Sequence, residues 1–279
     1  MRSRSLLVFL ASLAVVVLAL RPVSALADNE TIYKGIPRSA KPASRADEVL
    51  VNEGYIVGYS EARKDPLWVA YHLVRVENPE THPRPSRFRI DDRTEARVKH
   101  DCYTNSGFDR GHNAPNYAMD TRYGLPGQRA SFLMSNICPQ EADLNRQTWE
   151  AFEKVEATDY ANSFGEIWTV TGPIFGSSPE EIPPCDVQVP VAFYKIVVRE
   201  DEGQPAMLAI IMSQHQRGVG RLRKFTTTVD GIEEQTGLDF FPDLPDGVEN
   251  RVETAGPNDR WHLDRLLVPT RFLPADDGE

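Results

Sequence analysis

Five separated runs of aromatic and β-branched residues, at 55–59, 68–74, 167–171, 193–198 and 207–212, constrain this chain more than anything else in it. Each is short, bounded by turn-forming residues, and suited to a pleated surface that is at least half buried. The acidic, glycine-bearing insert at 199–205 predicts a hairpin between the last two. Helical signals are fewer. From 143 to about 157, Leu144, Phe152 and Val155 share one stripe, with Asp143 placed to cap the start. A second helix is predicted over Val229 to Thr236, ending at Gly237. Together these features predict an α+β domain over residues 49–248, with a central antiparallel sheet and helices flanking it. Residues 28–48, polar and carrying Pro37 and Pro42, are predicted to form a linker or flexible arm. The charged, proline-containing stretch 77–105 is expected to run over the surface, and 249–279 to form a C-terminal extension whose apolar patches at 261–263 and 266–268 can dock onto the domain.

The beginning of the chain carries an address signal. Arg2 and Arg4 precede an apolar run from Leu6 to Leu20, followed by small-x-small sites ending at Ala25 and Ala27. That order predicts a signal peptide over residues 1–27, a secreted or periplasmic product, and no membrane anchor in the mature form. Its removal takes away three arginines and no acids, making the formal charge of −10 three units more negative. A protein that offers nucleic acid affinity alone usually presents a basic face, so this balance argues against a tight non-catalytic binder. An enzyme that must release its product tolerates it if positive charge is focused locally. Beyond residue 27 lie Cys102, Cys138 and Cys185. They allow one internal bridge with three possible pairings, and their spacing has no CxxC element for a structural zinc.

Chemistry concentrates in three blocks. The first runs Phe108-Asp109-Arg110-Gly111-His112-Asn113-Ala114-Pro115, the second Ser135-Asn136-Ile137-Cys138-Pro139-Gln140, and the third is the set Asn145, Trp149 and Glu153. Phosphodiester hydrolysis needs a base to deprotonate water, positive charge for the phosphorane, and a cation or acid for the departing 3′ oxygen. On an extended segment Arg110 and His112 point to one side, where both can approach a single phosphate. The glycine between them permits a tight backbone turn. Asn145, Trp149 and Glu153 fall at i, i+4 and i+8 on a helix, with about 12 Å between the first and last. Helical side chains lean towards the N-terminus, so Asn145 and Glu153 can serve one hydrated Mg²⁺. Taken singly, the first block is equally compatible with a surface histidine beside a surface arginine, and the helix set fits a solvated face with a half-buried Trp better than it fits a metal site. Cys138 has no companion base at a diagnostic spacing, which speaks against a thiol nucleophile. His72, alternating within an apolar strand, is expected to be structural. His215 and the basic residues from Arg217 to Lys224 fit a substrate rim or a solvated loop equally well.

In order and spacing these blocks resemble the DNA/RNA non-specific endonuclease family, whose fold is the ββα-metal or His-Me finger type. The likeness extends to Trp68-Val69-Ala70-Tyr71-His72, to Val170-Thr171-Gly172-Pro173 and to Phe225–Pro245, so that residues 55–245 are covered. The resemblance implies a Mg²⁺-dependent endonuclease acting on DNA and RNA without strong sequence specificity, with Mn²⁺ or another divalent cation as a substitute. His112 would then be the general base and Asn145 the direct ligand of the ion. Glu153 would contact the ion's water shell, Asn136 would be an active-site amide, and Arg110 and Arg63 would stabilise phosphate. Where members often carry an arginine one turn beyond the glutamate, this chain has Ala157. Two rivals remain at this level: a catalytically silent protein binding through the same fold, and a metal-dependent phosphodiesterase acting on small diesters.

Overall fold

The computed structural model describes residues 30–268, so the predicted signal peptide lies outside the described residues. In chain order the protein builds β1 (Glu48–Val51), β2 (Tyr55–Ser60) and β3 (Asp65–Val74). Next come β4 (Asp109–His112), α1 (Asn116–Ser131) and β5 (Ile137–Gln140). A continuous helical run at 142–164, called α2, follows. It leads into β6 (Glu166–Ile174), β7 (Ala192–Asp201), β8 (Gln204–Ser213) and β9 (Thr226–Thr227). The helices α3 (Val229–Thr236) and α4 (Asp246–Glu253) complete the set. Seven strands form one sheet in the order β9-β8-β7-β6-β3-β2-β1. Every neighbouring pair in it is antiparallel.

The five apolar runs become the five central strands because both faces of the sheet are covered. Along β3, Val69, Tyr71 and Leu73 join one core, while Trp68 and Ala70 join the other. Along β7, Phe193 and Val197 alternate in the same way with Tyr194, Ile196 and Val198. Period-2 alternation between two buried faces reads as a continuous apolar run. The first face carries α1, β5 and α2; the second carries α3 and α4. At the β7–β8 hairpin Asp201 pairs with Gln204 across two residues in left-handed conformation, Glu202 (φ 53°) and Gly203 (φ 75°). That is the primed turn whose twist matches antiparallel strands.

Four expectations change. Residues 30–48 are not a free arm: Ile32 and Tyr33 are buried, Tyr33 lies 5.1 Å from Trp168 ring to ring, and Arg38–Ser39 pairs with Leu238–Asp239. Apolar side chains within a polar segment supply the anchoring that composition hides. The stretch 77–105 also holds to the domain, with Asp91 buried and accepting from Ser135 Oγ at 2.6 Å. Helix α2 runs past 157 to Phe164 and ends at Gly165 (φ 92°). Asp143 has helical backbone angles and makes no cap. The tail, by contrast, docks as its apolar patches allow: Trp261 is fully buried and Leu266–Leu267 pairs with Gly220–Arg221. The cysteine pairing left open by the sequence is Cys102–Cys185, with Cys138 free and buried.

Candidate active site

A cavity of about 700 Å³ opens where the β4–β5 hairpin meets α2. His112, Arg110, Asn145 and Glu153 all line it, together with Arg84, Phe88, Asp109, Asn116, Arg146, Glu150 and Lys154. The hairpin register places His112 opposite Ile137 and Gly111 opposite Cys138. Glycine is needed at 111 for close approach rather than for a turn. A Cβ there would stand 2.7 Å from the Cβ of Gln140, which cannot swing aside. The pairing that presents Arg110 and His112 to the cavity therefore tolerates no side chain between them.

His112 sits between aromatic rings, 5.2 Å from Phe88 and 5.1 Å from Phe132. Its Nε2 is buried and has no hydrogen-bond partner. Burial, and secondarily the Arg84 guanidinium, push its pKa down to about 3. At neutral pH the ring is an uncharged base with a free lone pair or N–H. Arg84 makes no hydrogen bond or ion pair among the described residues and rests over Phe132 at 5.1 Å. Sequence reasoning missed it, because it lies in the aperiodic stretch 77–105 where nothing local marks it.

On α2, Asn145 donates from Nδ2 to Asp109 Oδ2 at 2.9 Å. With its amide nitrogen committed, Oδ1 is the atom left to face a cation. Asp109 is itself held by Arg146, whose Nε donates at 2.7 Å. Glu153 has a buried Oε1 without a partner. Burial pushes its pKa up to about 8, against the opposing pull of Lys195. An unsatisfied carboxylate oxygen and a free amide oxygen on one cavity wall fit a hard, partly hydrated divalent cation. Trp149 does not share that wall. Two stretches of α2, Leu144–Trp149 and Val155–Tyr160, are wound as π-helix. Trp149 is 1% exposed and packs under Lys195 and Phe193.

Two expected residues fall elsewhere. Asn136 is fully buried: its Oδ1 accepts from Ala114 N at 2.8 Å, and its Nδ2 donates to the carbonyls of Ala114 and Ser131. With its capacity used on backbone, it braces the chain just after His112 instead of facing the cavity. Arg63 stacks on Phe175 at 4.4 Å and donates to Gln188 Oε1 at 2.7 Å, lining a separate shallow pocket. Arg110 lines the cavity, but its guanidinium donates to the His100 carbonyl and to Thr104 Oγ1. At 157 the alanine is buried in the core. Of the remaining histidines, His72 stacks on Trp168 and bonds Glu166, while His82 and His215 pair with Asp120 and Glu141. Burial pushes the Cys138 thiol up, away from nucleophilic use.

The DNA/RNA non-specific endonuclease family profile matches residues 34–247, and the chain belongs to that family. A nuclease of Nostoc sp. is 30% identical over 240 residues, covering 80% of this chain and 85% of its own. Human endonuclease G, mitochondrial, is 29% identical, covering 77% of this chain and 74% of its own length. The zebrafish (Danio rerio) nuclease EXOG, mitochondrial, is 28% identical, covering 77% and 67%. A solved EndoG/EndoGI complex matches in fold with a TM-score of 0.66 at 23% identity, covering 76% of this chain and 90% of the matched one. The fold is that of His-Me finger nucleases, and the chain is a metal-dependent, non-specific DNA/RNA endonuclease. These relatives correct one expectation. The secreted or periplasmic address read from residues 1–27 is overturned, because EXOG and endonuclease G carry a mitochondrial designation. Among the described residues no helix is long and apolar enough to cross a membrane.

A candidate divalent-cation cluster also stands apart from the cavity. Asp230, Glu233 and Glu253 present carboxylate oxygens within 4.8 Å of one another.

Proposed function

We propose that the chain hydrolyses internal phosphodiester bonds of DNA and RNA with neutral His112 as the general base and Mg²⁺ as the working cation. The observation that carries this reading is the meeting of three free atoms at one cavity: the unpartnered Nε2 of His112, the free amide oxygen of Asn145, and the unpartnered Oε1 of Glu153. Asn145 would hold the ion and Glu153 its water shell. When bound there, Mg²⁺ supplies Lewis-acid stabilisation of the phosphorane and of the leaving 3′ oxygen.

His112 removes the proton from the attacking water, and its dry aromatic seat keeps the ring uncharged beforehand. Arg84, unengaged and beside His112, donates to the non-bridging oxygens, with Arg110 assisting from the same wall. Asp109 orients the Asn145 amide, and Asn136 fixes the backbone that follows the base. The resemblance implies 5′-phosphate and 3′-hydroxyl ends. Contacts of this kind are to backbone phosphate, which carries no base identity, so sequence preference should be weak. The domain is taken to reach beyond 49–248, with the anchored segment 30–48 before it and the docked segment to Leu267 after it.

The decisive measurement is cleavage of plasmid DNA and of RNA across a Mg²⁺ series, with and without EDTA. Cleavage of both polymers that vanishes in EDTA is expected. Cleavage that persists in EDTA, or of small diesters alone, overturns the reading.

A further inference from the structure

On the sheet face opposite the cavity, α3 and α4 bring together side chains that repel one another. Asp230 lies in the first turn of α3 and Glu233 one turn later. Glu253 is the last residue of α4. Asp230 suits its place, since a helix N-terminus favours negative charge. Glu253 occupies the opposite kind of end, where a carboxylate meets the negative pole of its own helix.

Glu253 is also only 6% exposed, and its Oε1 is buried without a hydrogen-bond partner. Glu233 has one oxygen engaged by the Phe240 N–H at 2.8 Å. Asp239 and Glu249 add negative charge near Glu253. The basic residues around this corner are committed elsewhere, Arg38 to Asp243 and Arg251 to Gln204. No ion pair among the described residues reaches Asp230, Glu233 or Glu253. Burial and mutual repulsion push Glu253 up to about 8, and burial raises Glu233 to about 7. An unpaired, buried carboxylate at the wrong helix end among like charges opposes folding on every count. A cation resolves all of these conflicts together.

We propose that Asp230, Glu233 and Glu253 form a second divalent-cation site, structural rather than catalytic, at which calcium clasps α3 to α4. The donor set is all oxygen, which excludes the nitrogen and sulfur preferences of zinc and copper. Oxygens within 4.8 Å of one another are in reach of a single ion at metal–oxygen distances of about 2.4 Å. One donor is buried, one half-buried and one exposed, so several coordination positions stay open to water. Calcium accepts such irregular, part-hydrated shells, whereas magnesium demands a near-ideal octahedron. The site shares no residue with the His112 cavity.

Thermal unfolding of the full chain tests this, with EDTA and then CaCl₂ added. The Asn145→Ala variant serves as the background, so that calcium entering the cavity does not supply the signal. The expected result is a rise in Tm of about 5 °C at a hundredfold excess over Kd. The rise should disappear in Asp230→Asn/Glu253→Gln, a pair of substitutions that relieves repulsion and leaves the chain folded. Absence of a calcium shift in the Asn145→Ala background overturns the site, as does an undiminished shift in the double variant. An equal shift with MgCl₂ overturns the choice of calcium. Because the readout is unfolding rather than cleavage, failure here leaves the nuclease reading untouched.

Discussion

The two faces of the sheet handle unsatisfied polar atoms differently. On the cavity face the free atoms of His112 and Glu153 stand among charges of both signs, with Arg84, Arg110, Arg146 and Lys154 facing Asp109, Glu150 and Glu153. On the opposite face the charges that act on Glu253 are all acidic, the nearby arginines being paired elsewhere. Mixed charge suits a site that must hold a cation and a phosphate together and then let one of them go. Uniform charge suits a site that holds a cation and nothing else. Orphan atoms alone thus do not identify an active site; the sign of their neighbours does.

The largest effect should come from His112→Ala, expected to lower kcat by about 10²–10⁴-fold while folding and Mg²⁺ binding persist. Near wild-type cleavage would remove the base from the cavity and erase the functional difference between the faces. Arg84→Ala is expected to lower kcat/KM by about 10²-fold, the scale for losing a preorganised charge at a developing oxyanion. Asn145→Ala should raise the Mg²⁺ concentration for half-maximal cleavage by at least about tenfold. An unchanged Mg²⁺ titration would mean that the ion sits elsewhere.

A pH comparison sharpens the contrast. His112 is held neutral down to about pH 3, so kcat/KM, which reports the free enzyme, should show no acid limb near 6.5 from this residue. On the other face the sign reverses. Glu253, raised to about 8 when folded, contributes stability that is full below its unfolded pKa and lost as pH rises through about 8. In EDTA, Glu253→Gln should therefore match the wild type near pH 4 and exceed it at pH 9 by about 2 kcal/mol, measured by urea unfolding.

Legibility followed locality. The central strands and the hairpin could be read because period is a property of one segment at a time, whereas His112, Asn145 and Glu153 are drawn together by the order of several blocks that resemble the nuclease family. Arg84 could not be read, since it reaches the cavity from a coil tied back by the Arg89 to Leu133 bridge. Trp149 shares a helix side with Asn145 and Glu153 by spacing, but its ring is taken up by Lys195 and Phe193, which only the folded chain brings to it. Asn136 was legible as an important amide, but its partners are backbone atoms of 114 and 131, which only the folded chain brings to it. The Asp230, Glu233 and Glu253 cluster joins two helices and had no signature along the chain.

Arg63 gives the smallest expected effect and the finest test of where the cavity face ends. A polymer substrate extends well beyond 700 Å³, so a cation outside the cavity could still meet a distant phosphate. Each such contact releases counterions and steepens the dependence of binding on salt by about one unit of slope. Arg63 is already committed to Gln188 Oε1 and to the Phe175 ring, and stripping it from both would offset what a phosphate contact returns. Arg63→Ala should accordingly leave kcat/KM within about twofold and the slope of log KM against log salt unchanged. A slope reduced by about one unit, with Tm intact, would extend the substrate track past the cavity and onto the edge where Arg63 lies.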